Sequence, residues 1–203
     1  MASFREALRT QRWDDHRYYH HNLINQSLHV VSAICFLVAY VLAFKDPAKA
    51  ALVGWLLAMT SRQAGHLFFE PKGYDHVNHA THEHKEEIKV GYNLQRKIVL
   101  LSIWVLSPLP LYFSPSFFGL LTPAADWSGV VHNVGWVWLW LALGGLLFRV
   151  GQLCIQQSVQ TGVVWATKIL TDPFHDIKLY HKAPLRLLQG EMIDEEEQAE
   201  HHA

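Results

Sequence analysis

The chain has 203 residues, half of them apolar, and its 17 basic side chains nearly balance its 18 acidic ones, which gives a net charge of −1 with neutral histidines. The length suits one domain, and the apolar content is ample to fill a core. A charge so close to zero argues against a nucleic-acid-binding protein, which usually carries a basic excess on one face. We expect one domain over residues 1–190 and an acidic, disordered tail over residues 191–203.

Four apolar segments follow one another along the chain, and they approach the roughly 20 residues that a helix needs to cross a bilayer. The third carries no charged residue, whereas the second contains Arg62, Gln63 and His66. Because a long uncharged stretch is difficult to bury in a small soluble bundle, the pattern favours an all-α, polytopic membrane bundle over a soluble one. The four predicted segments are residues 29–44, 50–69, 98–121 and 130–148.

Two further features modify this pattern. Pro108 and Pro110 lie inside the third segment, where each removes a backbone donor and its ring clashes with the preceding turn, so we expect a kink or a break. After Arg149 the sequence becomes polar on one face over residues 152–170. That stretch is typical of a helix that packs on the bundle or lies in the membrane interface.

Basic residues are distributed unevenly about these segments. With four crossings, the N-terminus, the 71–97 loop and the chain from Arg149 onward share one side and hold four, five and five Lys and Arg residues. The loops on the opposite side hold two. The positive-inside rule then places the richer side in the cytoplasm. We expect an integral protein of the inner membrane or the endoplasmic reticulum, with its functional site on the cytoplasmic side.

The fourteen histidines are the most informative residues, because eight of them fall in two short blocks. In the four-crossing arrangement only His132 lies on the opposite side, whereas random placement would scatter them. Imidazole together with carboxylate is a ligand set for iron, zinc or copper. The sequence therefore predicts a metal site. The two blocks are His16, His20, His21 and His29, and His76, His79, His82 and His84.

Helical spacing selects candidates from these blocks. His21 and His29 are two turns apart on one face, with Asn25 between them, and His66 lies one turn before Glu70. If residues 75–90 are helical, His79, His82 and Glu86 also share a face. The predicted metal ligands are His20, His21, His29, His66, His79, His82 and Glu86.

Two charged residues at the end of the second segment are candidate catalytic residues. An ionisable side chain within a membrane is costly unless it faces a cavity or a partner, which makes Arg62 a functional candidate. The alternative is an arginine that snorkels or pairs with Glu70. Glu70 is predicted either to bind the metal or to orient the imidazole of His66, with an ion pair to Arg62 or Lys72 as the alternative.

The sequence YHHNLINQSLH at residues 19–29, followed by GHLFFEP at residues 65–71, resembles the membrane 2-hydroxy fatty acid dioxygenase family of fatty acid alpha-oxidation. That family has an opening of Tyr and His, an Asn-x-x-x-His-like step and a later Gly-His-x-x-x-Glu. The resemblance implies an Fe(II)-dependent, multi-pass protein that shortens a 2-hydroxy fatty acid by one carbon. The matching positions are His20 or His21, Asn25, His29, His66 and Glu70.

Other functions remain open on the sequence alone. A di-iron lipid hydroxylase or desaturase uses the same ligand types, although the His-x-x-His-His boxes of those families are missing here. A membrane protein that binds metal or haem without catalysis, or a transporter with histidine proton relays, is a third class. The expected cofactor is Fe(II), mononuclear or dinuclear. The expected partners are a lipid or fatty-acyl substrate, O₂ and the membrane, with a homo-oligomer left open.

Overall fold

The computed structural model describes residues 3–70, 73–75, 78–88 and 94–194 of the chain. These residues form helices, together with two isolated antiparallel bridges, Asn22–Ile193 and Asp75–Ala80. The prediction of an all-α fold is confirmed. The helices are α1 (Phe4–Tyr19), α2 (Leu23–Ala43), α3 (Pro47–Val53), α4 (Thr60–Ala64), α5 (His82–Ile88), α6 (Leu94–Leu106), α7 (Leu109–Phe113), α8 (Trp127–Gln156), α9 (Val159–Tyr180) and α10 (Ala183–Leu188).

Side-chain caps fix the starts of the long helices. Ser3 forms a capping box with Glu6 at the start of α1, and Asn22 accepts hydrogen bonds from two backbone amides of the first turn of α2. Asp126 and Ser158 cap α8 and α9 in the same way. Each cap satisfies backbone donors that have no partner inside the helix. The local sequence therefore determines where these four helices begin.

Within the described residues, three helical segments are long and apolar enough to cross a membrane. They are Leu23–Ala43, Gln95–Phe113 and Trp127–Gln156, with mean hydropathies of 1.9, 1.3 and 1.5. These properties agree with the expected membrane bundle. The second predicted segment, residues 50–69, lies in a stretch that is helical from residue 47 to residue 69. This stretch is not one of the three segments above. The number of crossings and their orientation stay predictions.

The helix over residues 47–69 is irregular. Two π-helical turns, Gly54–Met59 and Gly65–Phe69, alternate with α3 and α4. The third predicted segment is also interrupted, since α6 ends at Leu106 and α7 begins only at Leu109. Pro108 lies in this gap, so the break falls where the prolines predict it.

Helix α2 lies at the centre of the fold. It packs against α3, α9 and α10, while α8 packs against α3 and α9, and α1 packs against α9. Helices α3 and α8 pack closely at Gly135. A Cβ atom at this position would lie 2.4 Å from the carbonyl oxygen of Ala48 and would overlap it. A tryptophan cluster of Trp55, Trp104 and Trp138 connects α6 to these helices, with Trp55 and Trp104 stacked at 5.4 Å between ring centroids.

The loop that carries the second histidine block differs from the helix considered for residues 75–90. The backbone amide of Asp75 donates to the Ala80 carbonyl at 2.8 Å, and Ala80 returns the bond at 3.1 Å. The Asp75 carboxylate also accepts from the backbone amide of Asn78. Such a local side-chain bond competes with helix formation. His79 consequently lies in a tight turn with φ of 49°, and the helix begins only at His82.

The first residues of the predicted tail pack on the start of α2. Residues 191–194, expected to belong to the disordered tail, form hydrogen bonds with the start of α2. The rest of that predicted tail, residues 195–203, lies outside the described residues. The domain boundary expected at residue 190 stays a prediction.

Candidate metal centre

Three histidines from separate parts of the chain meet beside the start of α2. His20 follows the last turn of α1, His29 lies on α2, and His66 lies in the second π-helical turn. One ring nitrogen of each lies within 4.8 Å of the others. The three side chains, called the histidine triad below, are only 1%, 0% and 7% exposed. Among the described residues, this is the group of His, Cys, Asp and Glu side chains with the proximity that a metal ion requires.

The close approach of His66 depends on Gly65. A Cβ atom at this position would lie only 2.2 Å from Oδ1 of Asn25 and 3.6 Å from Cδ2 of His29. The missing side chain lets residues 65–69 pack directly on α2. Single π-helical turns recur at functional sites, where the extra residue changes the direction of the side chains. The glycine and the π-helical turn together bring His66 to the triad.

Each imidazole directs its Nδ1 atom at an acceptor. His20 Nδ1 lies 2.7 Å from the backbone carbonyl oxygen of Asp15, and His66 Nδ1 lies 2.8 Å from Oε2 of Glu70. His29 Nδ1 lies 3.4 Å from Oδ2 of Asp176, a longer approach. A carbonyl or an ionised carboxylate can only accept, so the Nδ1 atoms of His20 and His66 carry the protons. The Nδ1 atom of His29 makes no hydrogen bond.

That tautomer leaves the Nε2 atoms of His20 and His66 with a lone pair. The Nε2 atoms of His20 and His29 are 3.2 Å apart. At this distance His29 can donate an Nε2 proton to His20, or both nitrogens can bind one cation when His29 carries its proton on Nδ1. The arrangement matches that of metal-binding histidines, which donate the opposite ring nitrogen to a carbonyl or a carboxylate. The triad could therefore hold a metal ion through its ring nitrogens.

The protonation of His20 agrees with a ligand role. Burial and the neighbouring His29 hold the pKa of His20 well below its ordinary value, although Asp15 and Asp176 act in the opposite direction. A neutral imidazole is the form that binds a metal. Tyr180 covers one side of the site, with its ring centroid 5.6 Å from that of His20.

A buried network of charges supports the site from α9. Arg62 Nη1 donates to Oδ2 of Asp176 at 2.7 Å, and Arg62 Nη2 lies 3.7 Å from Asp172. Lys168 Nζ binds Asp172 at 2.6 Å and Asp15 at 3.0 Å. The network thus connects Asp176, which faces His29, with Asp15, whose carbonyl holds His20.

Two carboxylates of this network, those of Asp15 and Asp176, stay ionised. Burial alone raises the pKa of Asp15, but the charges of Lys168 and Arg62 outweigh it, and the pKa lies well below its usual value. Burial likewise raises the pKa of Asp176, and the charge of Arg62 lowers it below the usual range. A buried carboxylate is stable only with such partners. The negative charge behind His29 is therefore maintained by Arg62.

The other predicted site residues lie elsewhere or cannot be placed. His21 Nε2 lies 3.8 Å from Asp75 and 3.5 Å from the Asn78 amide, in the loop that follows residue 73. His79 and His82 are exposed. The side chain of Glu86 and the whole of His76 lie outside the described residues.

The two predicted catalytic residues both adjoin the triad. Glu70 contacts the Nδ1 atom of His66, which is the orienting role that the sequence left open beside a ligand role. Arg62 forms its ion pairs with Asp172 and Asp176, and the alternative of an Arg62–Glu70 pair is not what the structure has. Both residues act on the triad from the side of the Nδ1 atoms.

Sequence reasoning missed the supporting residues on α9. Lys168, Asp172 and Asp176 follow one another at steps of four, so they share a helix face. Charges on one face of a helix inside a membrane bundle need partners, and this spacing was the available signal. Asp15 gave no such signal, because its backbone carbonyl binds His20.

Comparison of the chain with known protein families, with curated proteins and with solved structures finds no match to any of them.

Proposed function

We propose that the chain is an Fe(II)-dependent membrane oxygenase that converts a 2-hydroxy fatty acid to the acid one carbon shorter. The observation that carries the proposal is the buried convergence of three imidazoles whose Nδ1 atoms face acceptors. His20, His29 and His66 would hold the iron through their Nε2 atoms. Three protein ligands leave coordination positions for O₂ and substrate, and the iron supplies the redox chemistry that activates O₂.

One metal ion fits the described residues better than two. Glu70 and Asp176, the carboxylates nearest the triad, contact Nδ1 atoms and lie behind the rings. A dinuclear site needs bridging or terminal carboxylates on the metal side. His79 and His82 are exposed and do not join the triad. We therefore favour a mononuclear centre over the di-iron alternative.

The charge of the site supports an anionic, chelating substrate. Three neutral imidazoles do not compensate the charge of a divalent ion, unlike a ligand set that includes a carboxylate. The surrounding charged side chains among the described residues balance one another. A 2-hydroxy acid offers a carboxylate and a hydroxyl oxygen at chelating distance, which would also hold C1 and C2 in position for reaction. The balanced side chains are Asp15, Glu70, Asp172, Asp176, Arg12, Arg62, Lys97 and Lys168.

The reaction balances without an external reductant. The substrate R–CHOH–COOH and O₂ give R–COOH, CO₂ and H₂O. The C1–C2 bond breaks, C1 leaves as CO₂, and C2 is oxidised to a carboxylic acid. The substrate itself supplies the four electrons that reduce O₂. Hydroxylation or desaturation of an unmodified acyl chain differs, because half of those electrons must come from a separate donor.

The chain's own residues have defined parts in this activity. Glu70 orients His66 and accepts its Nδ1 proton, and the Asp176 carboxylate lies 3.4 Å from Nδ1 of His29. Arg62 keeps Asp176 ionised and aligned. Burial of the triad excludes bulk water, which strengthens the electrostatic interactions at the site.

The test uses anaerobically purified protein loaded with Fe(II) and supplied with O₂. The substrate is a long-chain 2-hydroxy fatty acid labelled at C1. We expect equal amounts of O₂ consumed and labelled CO₂ released, with no added reductant. The His66→Ala variant should lose the metal and the activity, because it removes one of three ligands. The His132→Ala variant, which alters a half-buried histidine that pairs with Asp46 outside the triad, is the matched control and should keep both.

Two outcomes would contradict the proposal. If wild-type protein leaves 2-hydroxy acids unchanged but hydroxylates or desaturates an unmodified fatty acid when a reductant is added, the di-iron type of chemistry replaces it. If the His66→Ala and His132→Ala variants lose metal equally, the triad is not the metal site. The unmodified fatty acid and a 3-hydroxy isomer serve as substrate controls, since neither presents a hydroxyl group at C2.

A further inference from the structure

The last described residues of the chain pair with the short link between α1 and α2. Residues 190–194 are called the C-terminal strap. The backbone amide of Leu23 donates to the Met192 carbonyl at 3.0 Å, and the amide of Asp194 donates to the His21 carbonyl at 2.9 Å. The strap therefore forms a short antiparallel pairing with the residues immediately after His20.

A buried glutamine connects the strap to the triad. Gln26, which is 2% exposed, donates through Nε2 to the backbone carbonyl of His20 at 2.8 Å and to Oδ2 of Asp194 at 2.9 Å. The other carboxylate oxygen of Asp194 accepts from Nη1 of Arg186 at 2.6 Å. Both hydrogens of one amide nitrogen thus serve two acceptors, one on the ligand residue and one on the strap.

His20 depends on such support more than the other two triad histidines. His29 and His66 lie within helical backbone, where neighbouring hydrogen bonds fix the chain. His20 has left the helix, with φ of −123° and ψ of 27°. Its amide still bonds to the His16 carbonyl, but its own carbonyl is held by Gln26. A ligand must be held to within about 0.5 Å to keep its place in a metal site.

We infer that Gln26 and Asp194 are positioning residues for the His20 ligand, so that the C-terminal strap is a working part of the metal centre. This inference rests on the proposed metal site. Gln26 fixes the His20 carbonyl, the Asp15 carbonyl fixes the His20 ring, and Asp194 holds Gln26 in place with help from Arg186.

The first test is the Gln26→Glu variant, with Co(II) as a spectroscopic probe of the site. Glutamate has nearly the same size but no N–H donor, and it sets a carboxylate against the His20 carbonyl and Asp194. We expect the affinity for Co(II) to fall by about 10–100-fold, as it does when partners of metal ligands are removed. The visible spectrum of bound Co(II) should also change. Gln157→Glu, which makes the same charge change at an exposed position, should leave both unaltered.

A second variant separates positioning from simple loss of structure. In Gln26→Glu combined with Asp194→Asn, the new asparagine amide can donate to the new glutamate, and its oxygen can still accept from Arg186. The pairing of the strap is restored, but the His20 carbonyl still lacks its donor. We expect amide hydrogen exchange at residue 194 to return to the slow rate of the wild type, while Co(II) affinity stays low.

Co(II) affinity and amide exchange in the two variants together decide the inference. Co(II) affinity that returns to the wild-type value in the double variant, or that is unchanged in Gln26→Glu, would overturn the inference and leave the proposed function standing. A wild-type protein that binds no Co(II) or Fe(II) at the triad would overturn both. Low affinity in both variants, together with slow exchange at residue 194 in the double variant alone, would support the inference.

Discussion

The Nδ1 atoms of the three triad histidines face different partners. His66 faces the carboxylate of Glu70, and His29 faces that of Asp176, whereas His20 faces a neutral carbonyl. A carboxylate partner raises the basicity of an imidazole more than a carbonyl does. His29 and His66 should therefore be the stronger donors to the metal, and the position of His20 depends on backbone support.

The contribution of Glu70 can be measured with Glu70→Gln. The glutamine oxygen can still accept from Nδ1 of His66, so the ring keeps its orientation but loses the negative charge behind it. We expect metal affinity to fall by about tenfold, at the low end of the effect of such partners. The rate of CO₂ release at metal saturation should fall more. Co(II) titration and single-turnover assays measure the two quantities.

The control for this prediction is Glu87→Gln, since Glu87 is exposed on α5. It makes the same change of charge away from the triad and should alter neither quantity. A Glu70→Gln variant that lost its metal as completely as His66→Ala would show instead that Glu70 is itself a ligand.

At the scale of elements, the contact between α2 and residues 65–69 decides whether the triad forms. Asn25 occupies the space in which a side chain of residue 65 would lie, and its amide nitrogen is fixed by the Tyr19 carbonyl at 2.8 Å. Asn25 is fully buried and has little room to move. The backbone angles of Gly65 lie in the right-handed helical region, which any residue can adopt. Packing against Asn25, and not the backbone conformation, therefore requires glycine at this position.

The Gly65→Ala variant tests this contact. The added methyl group would overlap Oδ1 of Asn25 and force the segment that carries His66 away from α2. We expect the free energy of unfolding to fall by about 1–3 kcal/mol, the usual cost of overpacking, and metal affinity to fall with it. Gly144→Ala in α8 is the matched control, since no atom lies within 4 Å of the added Cβ. Thermal unfolding and Co(II) titration of both variants give the comparison, and equal behaviour of the two would contradict the argument.

The candidate site could be predicted from the sequence only where its geometry is local. The spacing of four between His66 and Glu70 predicts their contact, and the capping role of Asn22 follows from its position before α2. The pairing of Arg62 with Asp176 joins residues 114 positions apart, and no local pattern specifies it. The turn at His79 was missed because a side-chain bond from Asp75 replaced helix formation.

At the scale of the whole molecule, the triad constrains how residues 47–69 run. Pro47 follows the C-terminal end of α2. His66, however, contacts His20 and His29 near the N-terminal end of α2. The stretch must therefore return along α2. At 1.5 Å per residue it spans roughly 35 Å, which is similar to the hydrocarbon thickness of a bilayer. If α2 crosses the membrane, residues 47–69 cross back, and the ion pairs of Arg62 offset the cost of its charge.

This arrangement supports four crossings, and cysteine labelling from either side of the membrane distinguishes four from three. In a background with Cys35 and Cys154 changed to serine, single cysteines replace Arg9, Glu83 or Ala125, all of which are exposed. Four crossings place positions 9 and 83 together on the cytoplasmic side and position 125 on the far side, as the distribution of basic residues also predicts. Three crossings through α2, residues 95–113 and α8 would separate position 9 from position 83 and return position 125 to the side of position 9. Labelling of position 83 from the far side only would contradict the four-crossing prediction and, with it, the return of residues 47–69 that brings His66 to the triad.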